Sequence, residues 1–131
     1  MASSGSTIDT IHPTEQPPAI DGYGSGGFRI DGLVHKGSLI VLPTGFAAWD
    51  IAAFAQIDDA VLPPSLFADG QIELLLLGCG ETMQMVPRGL RDALRAVGTV
   101  VEPMGTGAAV RTYNVLLGEN RRVAAALIAV D

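Results

Sequence analysis

The sequence predicts an α/β (or α+β) fold. The expected form is one three-layer β/β/α domain, with a mixed sheet carrying two main helices on one face and glycine-rich hairpins on the other. Three observations lead there. Residues 71–130 alternate apolar runs with amphipathic stretches as strand, helix, strand, helix, strand, which requires at least one right-handed parallel crossover. Upstream, six glycines between Gly22 and Gly37 punctuate short segments, as tight turns between strands do. A chain of 131 residues buries roughly two-thirds of its unfolded surface, enough for a single core.

Taken in order, the first 16 residues hold Ser3, Ser4, Ser6, Thr7, Thr10 and Thr14, with no basic start, no apolar stretch and no arginine. They read as neither a secretory signal nor a transit peptide. Residues 1–18 are therefore expected to be a disordered tail ahead of a domain over 19–131. Residues 28–35 and 38–42 flank Lys36-Gly37, which reads as a two-residue hairpin turn. Leu39-Ile40-Val41-Leu42 does not alternate, so it predicts a strand covered on both faces. Residues 45–59 are ambiguous. Phe46, Trp49, Phe54 and Ile57 approach helical spacing, whereas Ala47, Trp49 and Ile51 alternate; a short strand around Trp49 followed by a loop is favoured. Pro63-Pro64-Ser65 then leaves room for a brief helical turn before Gly70.

The carboxyl half is more explicit. Residues 72–77 form an apolar strand. Leu90, Ala93, Leu94 and Val97 share one helical face, opposite Arg88, Arg91, Asp92 and Arg95. Pro87 suits the first helical position and Gly98 the position just past the end. Residues 99–102 give another strand. Thr106 is read as the N-cap of a helix to about Leu117, which Gly118 can end. Residues 122–130 place apolar side chains on both faces of a last strand.

Charge and composition exclude several function classes. Fourteen acidic against eight basic residues give a net charge of -6, and one lysine with seven scattered arginines makes no stripe for tracking phosphates. No nucleic-acid partner is expected. No apolar run exceeds eight residues, against roughly 20 for a membrane span. Cys79 is a lone cysteine and the chain has two histidines, so neither a disulfide nor a metal centre is expected; no bound cofactor is expected either, because the one dinucleotide-like glycine turn lacks its third glycine.

Two glycine turns are the sharpest local signals. Gly78-Cys79-Gly80 follows a buried strand, with Glu102 some two dozen residues on, which is part of a dinucleotide fingerprint; but Met83 stands where a third glycine belongs. Gly105-Thr106-Gly107 opens a helix whose backbone amides suit an anion. Gly107, Arg111, Asn114 and Gly118 then form a polar stripe. Both turns should lie beyond the carboxyl ends of parallel strands. This makes Gly78, Cys79, Gly80, Gly105, Thr106, Gly107, Arg111 and Asn114 the candidate cleft. The plainer reading is that the glycines permit close backbone approach and that the stripe is a solvated helix face. Cys79 would need a basic neighbour to act as a nucleophile, and the sequence places neither His12 nor His35 beside it. Glu73 and Glu81 bracket the turn without any sign of sharing a site. No catalytic set is found. Aromatic residues around Phe46, Trp49 and Phe54 suit either a binding patch or core.

Several segments together carry a resemblance: Asp21-Gly22-Tyr23-Gly24, Gly27-Phe28-Arg29-Ile30, His35-Lys36-Gly37-Ser38, Trp49, the run ELLLLGCG over 73–80, Pro87 with Leu90-Arg91, Val101-Glu102-Pro103-Met104, and TGAAVRTYNVL over 106–116. They resemble the family that contains mitochondrial NADH:ubiquinone oxidoreductase (complex I) assembly factor 3 and small bacterial and archaeal relatives. The likeness spans residues 19–130. It implies a β/β/α domain without catalytic activity. For the mitochondrial member it implies a role in building complex I through protein–protein contact at the inner membrane. The family pattern usually accommodates Thr at position 79, which weakens a nucleophilic role for Cys79. The expectation is a non-enzymatic accessory protein whose partner is a protein, with complex I subunits or assembly intermediates the leading choice. It is expected in the bacterial cytoplasm, peripheral to the membrane through that partner. The alternative is a small-ligand or anion-binding domain using the turns at 78–80 and 105–107, and behind it a thiol enzyme. No pattern specifies an oligomeric state.

Overall fold

The computed structural model describes residues 8–68 and 72–131. Its strands are β1 (His12–Pro13), β2 (Ile20–Gly24), β3 (Gly27–Ile30), β4 (Leu33–Lys36), β5 (Ser38–Leu42), β6 (Gly45–Trp49), β7 (Leu74–Gly78), β8 (Val100–Met104) and β9 (Val123–Leu127). The helices are α1 (Ser65–Ala68), α2 (Arg88–Ala96) and α3 (Thr106–Gly118), with a 3₁₀ turn at Phe54–Gln56. A six-stranded mixed sheet runs β1-β6-β5-β9-β7-β8, and β2-β3-β4 form a separate antiparallel sheet. The expected class, a mixed sheet with helices and a glycine-rich antiparallel part, is what the structure shows.

Strands β9, β7 and β8 are parallel neighbours, and β9 is antiparallel to β5. Every residue of β5 and β9 is buried, which accounts for their unbroken apolar runs. Alternate side chains divide between two cores. Ile40, Leu75, Leu77, Ala124 and Ala126 face one core with Phe67, Leu90 and Leu94. Leu39, Val41, Leu76 and Ala125 face the other with Ile20, Phe28, Ile30, Ala109 and Tyr113.

That division corrects the expected layering. Helices α2 and α3 lie on opposite faces, and the small sheet shares its face with α3. The cause is strand order. The crossover from β7 to β8 steps outward, whereas that from β8 to β9 steps back past β7. Two right-handed crossovers running in opposite directions put their helices on opposite faces.

Three local expectations also change. The Lys36-Gly37 pair does not close a hairpin, because β4 pairs with β3 while β5 pairs with β6 and β9. It is the corner where the chain leaves one sheet for the other. The hairpin turn is Asp31-Gly32, with φ of 53° and 76°, the left-handed pair that a two-residue turn demands. Residues within 1–18 are also tied in, contrary to the expected tail. His12 and Pro13 pair with Phe46 and Gly45, and Pro18 is buried beneath the Tyr113 hydroxyl, which donates to its carbonyl at 2.7 Å. Thr106 is the first helical residue, with Gly105 as N-cap; α3 runs to Gly118 as expected, and the left-handed residue that follows it is Asn120 (φ 61°). The α2 boundaries follow the sequence closely: Pro87 is its cap, and the Gly98 amide closes on Arg95 at 2.9 Å. Readings for residues 1–7 and Gly70 lie outside the described residues.

Burial raises the Tyr113 hydroxyl pKa well above its ordinary value of 10.0. The folded state thus holds a proton that the unfolded chain releases in alkali, so stability is full below pH 10 and falls as the pH rises past it. Tyr113→Phe is expected to cost about 1 kcal/mol at pH 7, for a lost hydrogen bond. It should also flatten the alkaline decline in urea melts run from pH 7 to 11; an unchanged decline would show that Tyr113 is not its source.

Candidate functional site

The parallel register of β7 and β8 sets Gly78 beside Met104, so both glycine turns leave the same rim of the sheet. They are adjacent and tied together. The Cys79 amide donates to the Met104 carbonyl at 2.8 Å, and the Thr106 amide to the Gly80 carbonyl at 2.8 Å. The buried Thr106 hydroxyl donates to the Ile128 carbonyl at 2.7 Å and accepts the Gly80 amide at 3.0 Å. The Ile128 amide returns to the Gly78 carbonyl at 2.9 Å. One hydroxyl therefore joins the carboxyl ends of three strands.

This packing explains the glycines. A Cβ on Gly78 would stand 3.0 Å from Thr106 Oγ1 and 3.1 Å from Thr106 Cα, and one on Gly105 would be 3.2 Å from the Glu81 carbonyl oxygen. Both permit close approach of the helix start to the sheet. A Cβ on Gly107 would be 2.5 Å from Tyr23 Oη, because that tyrosine of the small sheet lies over the first turn of α3.

The polar stripe of α3 is turned toward the small sheet. Arg111 Nη1 donates to Tyr23 Oη at 3.2 Å. Asn114 accepts the Ile20 amide at 3.0 Å and donates to the Ile20 carbonyl at 2.8 Å, completing an amide-to-backbone pair. Together with Tyr113, these contacts clamp β2 to α3. The structure thus brings seven of the eight candidate residues into one connected region running from the strand rim along α3. The eighth, Cys79, projects its side chain into the opposite core.

Cys79 is 5% exposed, and burial raises the pKa of its thiol, partly offset by a hydrogen-bonding contact to the Gln84 carbonyl. Cys79 and Gly80 line an open groove of about 560 Å³, together with Phe54, Glu81, Gln84 and Asp131 among others. His35 is occupied by the Ser38 carbonyl at 2.9 Å, and His12 leans on the Phe46 ring. Glu73 is engaged with Arg121 at 3.2 Å, which lowers its carboxyl pKa. Trp49, read as patch or core, is core: it is buried and its indole donates to the Val61 carbonyl at 2.8 Å. Among the described residues, no group of three or more His, Cys, Asp or Glu could hold a metal ion. Tyr23 and Tyr113 stand in the motifs of the resemblance but were not among the cleft candidates. Their signal was present as the only two tyrosines, each one residue from a glycine or asparagine of the motifs.

The six-stranded mixed sheet, with a three-stranded antiparallel sheet packed on the face that α3 covers, defines a class of mixed α/β domain. Residues 20–128 match the family described as "Protein of unknown function (DUF498/DUF598)". The chain belongs to that family. It is 45% identical over 109 residues to an uncharacterised protein of Rhodobacter capsulatus, covering 83% of this chain and 82% of that one. It is 31% identical over 109 residues to NADH dehydrogenase [ubiquinone] 1 alpha subcomplex assembly factor 3 of Xenopus tropicalis. That match covers 83% of this chain but 60% of the relative, so the chain spans somewhat over half of the assembly factor. Among solved structures, a Bartonella henselae protein described as an outer membrane protein is similar, with a TM-score of 0.81 and 41% identity, covering 91% of this chain and 98% of that one. No helix among the described residues is long and apolar enough to cross a membrane.

Two outcomes follow. Thr106→Val removes the bridging hydroxyl while keeping the volume, leaving buried backbone groups without it; a loss of about 1–3 kcal/mol is expected in urea denaturation, with Thr106→Ser close to the parent. Separately, Cys79 should react with Ellman's reagent at the rate of unfolding rather than that of a free thiol. A rapid native-state reaction would show that the thiol is accessible.

Proposed function

We propose that this chain is a non-enzymatic accessory protein that assists assembly of a respiratory complex I by protein–protein contact. The observation that carries the reading is its relationship to complex I assembly factor 3 over 109 residues. The use of the site's polar groups supports it. Thr106, Asn114 and Tyr113 are engaged in holding the fold together, and the space between the two glycine turns is taken up by the Thr106 hydroxyl. That occupancy makes an anion pocket at residues 78–80 and 105–107 the lesser reading. A buried, raised-pKa thiol at Cys79 argues in the same direction against covalent catalysis. The partner on this reading is a complex I subunit or assembly intermediate, met in the cytoplasm or at the membrane surface.

Deletion of the gene in its source organism should lower the amount of mature complex I, seen on native gels and as membrane NADH:quinone activity. Re-expression of either the parent chain or Cys79→Ser should restore it. Normal complex I after deletion, or rescue lost with Cys79→Ser alone, would overturn the proposal.

A further inference from the structure

The approach to α2 carries a surface that the fold itself does not use. Met83 is 58% exposed and Met85 83% exposed, while Val86 between them and the helix is buried in the core. The helix that follows has Leu90 and Leu94 buried and presents Arg88, Arg91 and Arg95 outward, with Arg91 half-covered. Three of the seven arginines thus stand on one short helix of a chain with net charge -6. Asp92 is the one carboxylate among them. None of the three arginines has an ion-pair partner among the described residues.

Arg88 is also placed against its own helix. It occupies the first turn, where the peptide dipoles disfavour a cation, and neither an acidic residue nor a capping side chain offsets it. Arginine and methionine are both enriched where proteins meet, the first for its carboxylate-matching fork and the second for its adaptable shape.

We propose that Met83, Met85, Arg88, Arg91 and Arg95 form the docking face for an acidic segment of a partner protein. The segment bears carboxylates spaced to meet arginines one helical turn apart, roughly 5–6 Å, beside an apolar side chain that seats on the two methionines. This rests on the assembly reading above and supplies the contact surface. Charge complementarity favours a protein segment over an anionic bilayer. A short segment feels the charges within about 8 Å of it, whereas an extended anionic plane faces a chain that is acidic overall.

The test places a photo-crosslinking amino acid at Met85 of the full chain in its own cells, with Val115 on α3, 60% exposed, as the comparison position. The expected adduct joins Met85, and not Val115, to a peptide of another protein rich in Asp or Glu. Its yield should fall at least tenfold in Arg88→Glu/Arg91→Glu. Arg88→Glu alone should melt no lower than the parent, since an acid suits that position, which separates docking from folding. The proposal is overturned if the adduct persists in the double variant, or if the captured molecule is a second copy of this chain, a phospholipid or a peptide without carboxylates. Deficient complex I on deletion, with Met85 silent, would leave the assembly role and remove this face. Normal complex I, with an acidic-peptide adduct at Met85 that is lost in the double variant, would do the reverse.

Discussion

The Thr106 hydroxyl is the contact on which the arrangement turns. Because the β7–α2–β8 and β8–α3–β9 crossovers cover opposite faces, the chain turns away from the adjacent ends of β7 and β8 in opposite directions. In open α/β sheets that point is where ligands bind. Here the gap is closed from within. The hydroxyl bridges Ile128 and Gly80, and the Gly78 backbone lies against the helix start with no room for a side chain. The topology of a ligand site is present, and the protein's own threonine fills it.

The same economy governs the polar side of α3. A solvent-facing asparagine would contribute little, yet Asn114 satisfies both backbone groups of Ile20, and the Tyr113 hydroxyl satisfies Pro18. These bonds form where burial by Ile20, Phe28 and Ile30 excludes competing water, so each counts for more than it would at the surface. They fix the small sheet over α3 and bring Tyr23 onto Gly107. A stripe that looks like recognition chemistry in one dimension is thus the fastening between two layers.

With these groups turned inward, the outward chemistry moves elsewhere, to α2 and the segment before it. In the sequence, Arg88, Arg91 and Arg95 read only as the solvated side of an amphipathic helix, Met83 only as the residue standing in for a third glycine, and Met85 carries no signal. What distinguishes them is three-dimensional: the methionines protrude and the arginines have no ion-pair partner among the described residues.

By itself the sequence determined the elements with local causes. The β7, β8 and β9 runs, the α2 limits set by Pro87 and Gly98, and the placement of both glycine turns on one rim all follow from apolar periodicity and turn chemistry acting within a few residues. The family was also legible, from motifs spread over residues 19–130. Tertiary structure decided the rest. Which face each helix covers depends on strand order, and no local pattern encodes the return of β9 to the inner side of β7. The Asp31-Gly32 turn, overlooked within an apolar stretch, separates β3 from β4 and frees Lys36-Gly37 to be a corner between sheets. Residues 8–18, polar enough to read as a tail, are held because β6 offers an open edge and Tyr113 a hydroxyl. Long-range pairing of this kind depends on partners dozens of residues away, so composition alone does not reveal it.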